Sequence, residues 1–181
     1  MAKYYAFLRA INVGGHTVTM ARLRLLFEEL GLDDVETFIA SGNVIFSARS
    51  GAAAALERRI EKHLEDSLGY EVKTFLRTGP ELHSIARHRA FPEARSRAAG
   101  AYCVGFLAQP LEAAARKALG ALKSEIDDFH VNGREVYWLC KVGQSKSNFS
   151  NVVFERAVKA RVTFRGANTV LKLAAKAVES A

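Results

Sequence analysis

The chain switches repeatedly between two hydrophobic periods. In Tyr4 to Arg9, Tyr5, Phe7 and Arg9 alternate with Tyr4, Ala6 and Leu8, which is the period of a strand. A loop, Ile11-Asn12-Val13-Gly14-Gly15, follows. Met20, Leu23, Leu26, Phe27 and Leu30 then recur at helical spacing behind Thr19, a suitable N-cap, and Gly31 stands where a helix C′ glycine belongs. Val35 to Ala40 and Val44 to Ser47 read as strands on either side of Ser41-Gly42-Asn43, a turn whose residues tolerate left-handed backbone angles. A helix over 52–67 is predicted with Leu56, Ile60 and Leu64 inward and Gly69 ending it. A strand from Glu71 to Arg77 and a helix opened by Pro80 and running to about His88 complete this half.

The same order then recurs. Ala101 to Ala108 is strand-like, and Pro110 opens a helix with Leu111, Ala115, Leu119 and Leu122 on one side. Ile126 to Val131 and Glu135 to Cys140 flank Asn132-Gly133, a strong hairpin signal. A helix over 150–159, a strand over 160–164 and a helix over 168–178 follow. The predicted fold class is therefore α+β, two ferredoxin-like β-α-β-β-α-β units in tandem, each followed by an extra helix. The expected halves are 1–88 and 101–181, joined by a linker over 89–100. In that fold the first and third strands are antiparallel neighbours, which brings Cys103 and Cys140 onto adjacent strands.

Composition narrows the class. No apolar run approaches the roughly 18 residues of a membrane span, and no signal-peptide core follows Met1, so a cytoplasmic protein without a membrane partner is expected. The two cysteines lack CxxC spacing and clustered histidines, so no metal is expected; they read as two buried thiols. No cofactor motif is present, and neither GxSxG nor HExxH occurs. Asp127-Asp128 reads as a turn marker rather than an acid/base pair, and His16, His63, His83, His88 and His130 are scattered.

The formal charge of +7 is unevenly placed. Residues 141–176 carry Lys141, Lys146, Arg156, Lys159, Arg161, Arg165, Lys172 and Lys176 against Glu155 alone, while the preceding residues are nearly neutral. Such an excess points to a nucleic acid, nucleotide or other phosphate-bearing partner, or to a solvated basic face. Three loops are candidate binding elements. Arg9, Asn12, Gly14 and Gly15 lie between the first strand and the first helix, where glycines let backbone N–H groups approach an anion. Ser41, Gly42 and Asn43 form the turn described above. Arg165, Asn168 and Thr169 precede the last helix, with Lys172 one turn on and Lys146 in a similar basic loop earlier. Tyr5 and Phe7 form a stacking platform if their sheet face is open, and core packing if it is not.

Leu8-Arg9-Ala10-Ile11-Asn12-Val13-Gly14-Gly15, Met20 and Ser41-Gly42-Asn43-Val44-Ile45-Phe46 together resemble the bacterial family called domain of unknown function 1697. Arg77-Thr78, Glu81-Leu82, Ala90-Phe91 and the stretch from Thr163 to Leu173 extend the resemblance over most of the chain. It implies a bacterial cytoplasmic protein with no established activity. Two departures stand out: Ala10 where the family usually has glycine, and Gly166-Ala167 where it usually has Asn-Trp. The leading expectation is a non-enzymatic binder of an anionic ligand. Two alternatives stay open: a small-molecule enzyme positioned by Arg9, Asn12, Ser41 and Asn43 between the halves, and a structural or partner-binding module.

Overall fold

The computed structural model describes residues 1–39, 42–49 and 51–179. The chain folds as two compact units, Met1–Leu82 and His83–Ala181. Each contains one four-stranded, fully antiparallel sheet with helices, so the protein is α+β with two similar halves. Among the described residues, no helix is long and apolar enough to cross a membrane.

In the first unit the elements are β1 (Ala2–Leu8), α1 (Met20–Glu28), β2 (Asp33–Thr37), β3 (Asn43–Ala48), α2 (Ala53–Leu68) and β4 (Thr74–Thr78), with strand order β2-β3-β1-β4. Helix α1 starts where Thr19 accepts a hydrogen bond from the Arg22 backbone N–H, and α2 ends at Gly69 with φ 81°. The alternation of β1 separates two buried faces. Tyr4, Ala6 and Leu8 join Val44, Phe46 and Leu76 in a core with Leu23, Leu26, Phe27, Ile60 and Leu64. Phe27 is fully withdrawn from water, and truncating such a ring to alanine costs about 3–5 kcal/mol. Tyr5 and Phe7, on the other face, are 1% and 0% exposed, so they do not form an open stacking platform.

Strand β4 lies at the sheet edge, where unpaired N–H groups invite further strand pairing. Its alternate N–H groups are taken by glutamates. Thr74 donates to Glu61 at 3.0 Å, Leu76 to Glu57 at 2.8 Å and Thr78 to Glu81 at 2.8 Å. Glu81 belongs to α3 (Gly79–Arg87) and also receives the Thr78 hydroxyl at 2.9 Å, while the Glu81 N–H returns to that hydroxyl at 3.5 Å, a capping-box arrangement.

The second unit follows with α4 (Glu93–Ala98), β5 (Ala101–Phe106), α5 (Ala113–Gly120), β6 (Asp127–Asn132), β7 (Glu135–Cys140), a 3-10 turn at Gln144–Lys146, α6 (Asn151–Val158), β8 (Thr163–Gly166) and α7 (Ala167–Glu179). Its strand order, β6-β7-β5-β8, repeats the first. Helix α4 occupies part of the 89–100 segment, which lacks the apolar period that would announce a helix.

The registers make the repeat specific. Tyr5 faces Arg77 across β1 and β4, and Val104 faces Arg165 across β5 and β8. Both arginines are buried, and each donates to the carbonyl of the preceding residue, Leu76 at 2.8 Å and Phe164 at 3.0 Å. Leu8 N–H donates to Gly42 O at 2.8 Å, and its counterpart Leu107 to Arg134 O at 3.0 Å. Glu155 accepts from Val162 N–H at 3.1 Å and pairs with Arg161, as Glu61 accepts from Thr74 and pairs with Lys73.

Cys103 and Cys140 are both free and buried. The register pairs Cys140 with Ala101 and Cys103 with Trp138, so the thiols are diagonal neighbours. Burial pushes the Cys103 thiol up to about 11, partly opposed by the Gln144 amide that donates to its sulfur at 2.7 Å.

Candidate functional site

The two N-terminal motifs meet. Gly42 has φ 75°, and a Cβ there would lie 2.7 Å from Ile11 Cγ2 and 3.2 Å from Leu8 Cβ, so only glycine lets this turn close on the 8–11 loop. Tyr70 hydroxyl donates to Ile11 O at 2.9 Å, and His16 stacks on the Tyr70 ring. Asn12 Oδ1 accepts from Val18 N–H at 2.7 Å, and Asn43, 1% exposed, donates through Nδ2 to Phe38 O at 2.9 Å. Each amide thus closes its own loop. Gly14 and Gly15 have φ 67° and 87° with open space about them, and Arg9 is half-buried with its N–H bonded to Lys73 O. Ser41 lies outside the described residues.

In the second unit, Arg165 is not in a loop. It is the third residue of β8, 8% exposed, and its guanidinium donates to Thr163 Oγ1 at 2.7 Å. Desolvation lowers its pKa to about 10. The sequence reading placed it after the strand because the glycine that follows it resembles a loop start; the chain instead stays paired through Gly166. Helix α7 begins at Ala167, so Asn168 and Thr169 fall in its first turn rather than ahead of it. Asn168 and Lys172 are exposed, and Lys146 is exposed on the 3-10 turn.

Asn168 lines a cavity of about 660 Å³ shared with Gly166, Ala167, Arg97, His88, Tyr102 and Tyr137. This volume suits a small organic ligand. Its wall is aromatic. His88 lies 5.0 Å from Tyr137 by ring centroids, Tyr102 lies 6.5 Å from Tyr137, and Phe91 packs edge-on against Tyr102. Tyr137 donates its hydroxyl to Ile85 O at 3.1 Å, and burial, with Glu135 and Tyr102 nearby, raises its pKa. His88 Nε2 and His130 Nε2 are 3.0 Å apart. Burial, then the nearby His88 and Lys123, lowers the pKa of His130, against an opposing pull from Asp128.

The two aspartates of β6 point to opposite faces. Asp127, 5% exposed, accepts from Trp138 Nε1 at 2.8 Å and from Ser147 at 2.7 Å. Asp128 pairs with Lys123 at 2.7 Å and Arg95 at 2.9 Å; although partial burial opposes it, these bonds hold its carboxyl below the usual range. Neither pair of partners was legible in the sequence. The aromatic wall also escaped it, because its residues come from three separate segments: the stretch after α3, β5 and β7.

Residues 1–137 match the protein family of unknown function DUF1697. The chain belongs to the DUF1697 family. The matched segment contains both N-terminal motifs and ends in β7, so Lys146, Arg165, Asn168, Thr169 and Lys172 lie beyond it. No curated protein matches the chain. Among solved structures, the DUF1697 chain is similar to a conserved bacterial protein, SP0830 from Streptococcus pneumoniae. The two are 21% identical with a TM-score of 0.73, over 98% of each chain. That likeness concerns the fold. For this DUF1697 protein, His88, Tyr102 and Tyr137 fall within the family-matched segment, whereas the α7 side of the cavity does not.

Proposed function

We propose that this DUF1697 protein is a non-enzymatic binder of a nucleotide-like anion in the bacterial cytoplasm, with the cavity of the second unit as its site. The observation that carries this reading is the cavity of about 660 Å³ lined by the partly exposed rings of Tyr102 and His88 together with Arg97, Asn168 and the start of α7, with Tyr137 buried in its wall. Aromatic rings offer stacking surfaces to a nucleobase. The amino end of a helix, with backbone N–H groups lacking intrahelical acceptors, and an adjacent guanidinium favour a phosphate or carboxylate. Arg97 is paired with Glu93 on α4 and remains largely exposed, so it can reorient towards a ligand. The basic surplus of residues 141–176 supports the same partner chemistry, although Arg165 is buried and contributes no surface charge.

We further propose that each unit is a ferredoxin-like module followed by an additional helix; the strand order repeated in both sheets supports it. Arg9, Asn12, Gly14, Gly15, Gly42 and Asn43 then shape the first module, and Asn168, with Thr169 and Lys172 on the same helix, serves the ligand.

Titrating the protein with adenosine monophosphate and with adenosine, across a salt series, tests the proposal. The expected result is binding of the phosphorylated ligand that weakens as salt rises, and a loss of roughly tenfold or more on Asn168→Ala or Arg97→Ala. Absence of nucleotide binding at low salt overturns it.

A further inference from the structure

We propose that His88 and His130 form a two-imidazole site for a borderline transition-metal cation of the zinc, nickel or copper class, independently of the nucleotide reading. Their Nε2 atoms are 3.0 Å apart. Two imidazole nitrogens bound at about 2.0–2.1 Å to one metal, at octahedral or tetrahedral angles, stand about 2.9–3.4 Å from each other. The observed separation therefore matches the bite of a chelate as well as that of a hydrogen bond.

The rings are held in place before any ligand arrives. His130 projects from β6, paired directly with Tyr137 on β7. His88 follows α3, its N–H bonded to Ile85 O, and the Tyr137 hydroxyl donates to that same carbonyl. The Tyr137 ring packs against both imidazoles. Such outer support fixes ligand orientation. Both histidines are partly exposed, and His88 lines the cavity, which leaves coordination positions for water or an anion.

Imidazole donors select zinc, nickel and copper over magnesium or calcium. Among the described residues no group of three or more potential ligands converges on a metal, so the site is a two-ligand one. Lys123 and Arg95 stand nearby around Asp128, leaving a net positive neighbourhood that weakens cation binding. Affinity is therefore expected to be on the order of micromolar rather than that of a closed structural zinc site.

Calorimetric titration with zinc and nickel, and the visible absorption of bound cobalt, test this on wild type, His88→Ala, His130→Gln and the double variant. Urea midpoints check that each variant is folded. The expected result is one equivalent bound by wild type, at least roughly tenfold weaker in each single variant and lost on moving from about pH 7.5 to about pH 5, where imidazoles protonate. Wild type that takes up no metal at about millimolar concentration overturns the proposal. So does a folded double variant that binds as wild type does. Because no nucleotide is present, failure here leaves the anion reading untouched.

Discussion

Ala10 adopts φ 62°, a left-handed conformation that a Cβ makes unfavourable, at the position where the chain turns out of β1 towards Ile11. The family resemblance noted a glycine there, and the backbone supplies the reason: glycine reaches φ > 0 without steric cost. Replacing Ala10 by glycine removes about 1–2 kcal/mol of local strain and adds about 0.5–1 kcal/mol of unfolded-state entropy to be lost. The expected outcome is a net gain of roughly 0.5–1 kcal/mol, read as a higher urea midpoint at an unchanged slope. A lower midpoint would mean that the alanine methyl contributes packing that outweighs the strain. Gly42 is the opposite case. Its φ of 75° and its contact with Ile11 both demand glycine, so the glycine was legible as turn chemistry, but its packing partner was not.

The element scale separates what periodicity reveals from what it hides. The strands and most helices were predictable, because the strand and helix periods differ and Thr19, Gly31 and Gly69 mark ends. The glutamates that satisfy β4 were not. Glu57 lies on α2 and is 9% exposed, yet in sequence a glutamate between apolar residues reads as part of a solvated face. Its acceptor role depends on a strand 19 residues away, and that of Glu61 on one 13 away. Glu61→Ala leaves the Thr74 N–H without its acceptor and is expected to cost about 1–2 kcal/mol in thermal or urea unfolding. Glu61→Gln keeps an amide oxygen for that N–H and loses only the partly exposed pairing with Lys73, so it is expected to cost less than half as much. Equal losses in the two variants would assign the effect to the ion pair instead of the strand edge.

At the scale of the whole molecule, the halves repeat a scaffold and differ in what they hang on it. Equivalent registers put Glu36 and Ile45 in the first sheet where the second has His130 and Tyr137. Strand order and the hairpin at Asn132-Gly133 are consequences of local pattern, so the repeat could be read from the chain. The cavity could not, since it depends on residues from α3, the segment after it, β5, β7 and α7 meeting around an absence of bulk. Ala167 presents only a methyl group on the α7 side of the cavity. Ala167→Trp is therefore expected to fill the cavity from its α7 side. If the cavity is the nucleotide site, affinity falls by at least roughly tenfold while the unfolding free energy from urea titration stays within about 1 kcal/mol of wild type. His88, after α3, and His130, on β6, both lie off α7, so metal uptake by the same variant should persist. A variant that keeps full nucleotide affinity would move the anion site out of this cavity and onto the exposed lysines of residues 141–176. Charge reversal at Lys146 and Lys159, both exposed, would then be the substitution that weakens binding and lowers its salt dependence.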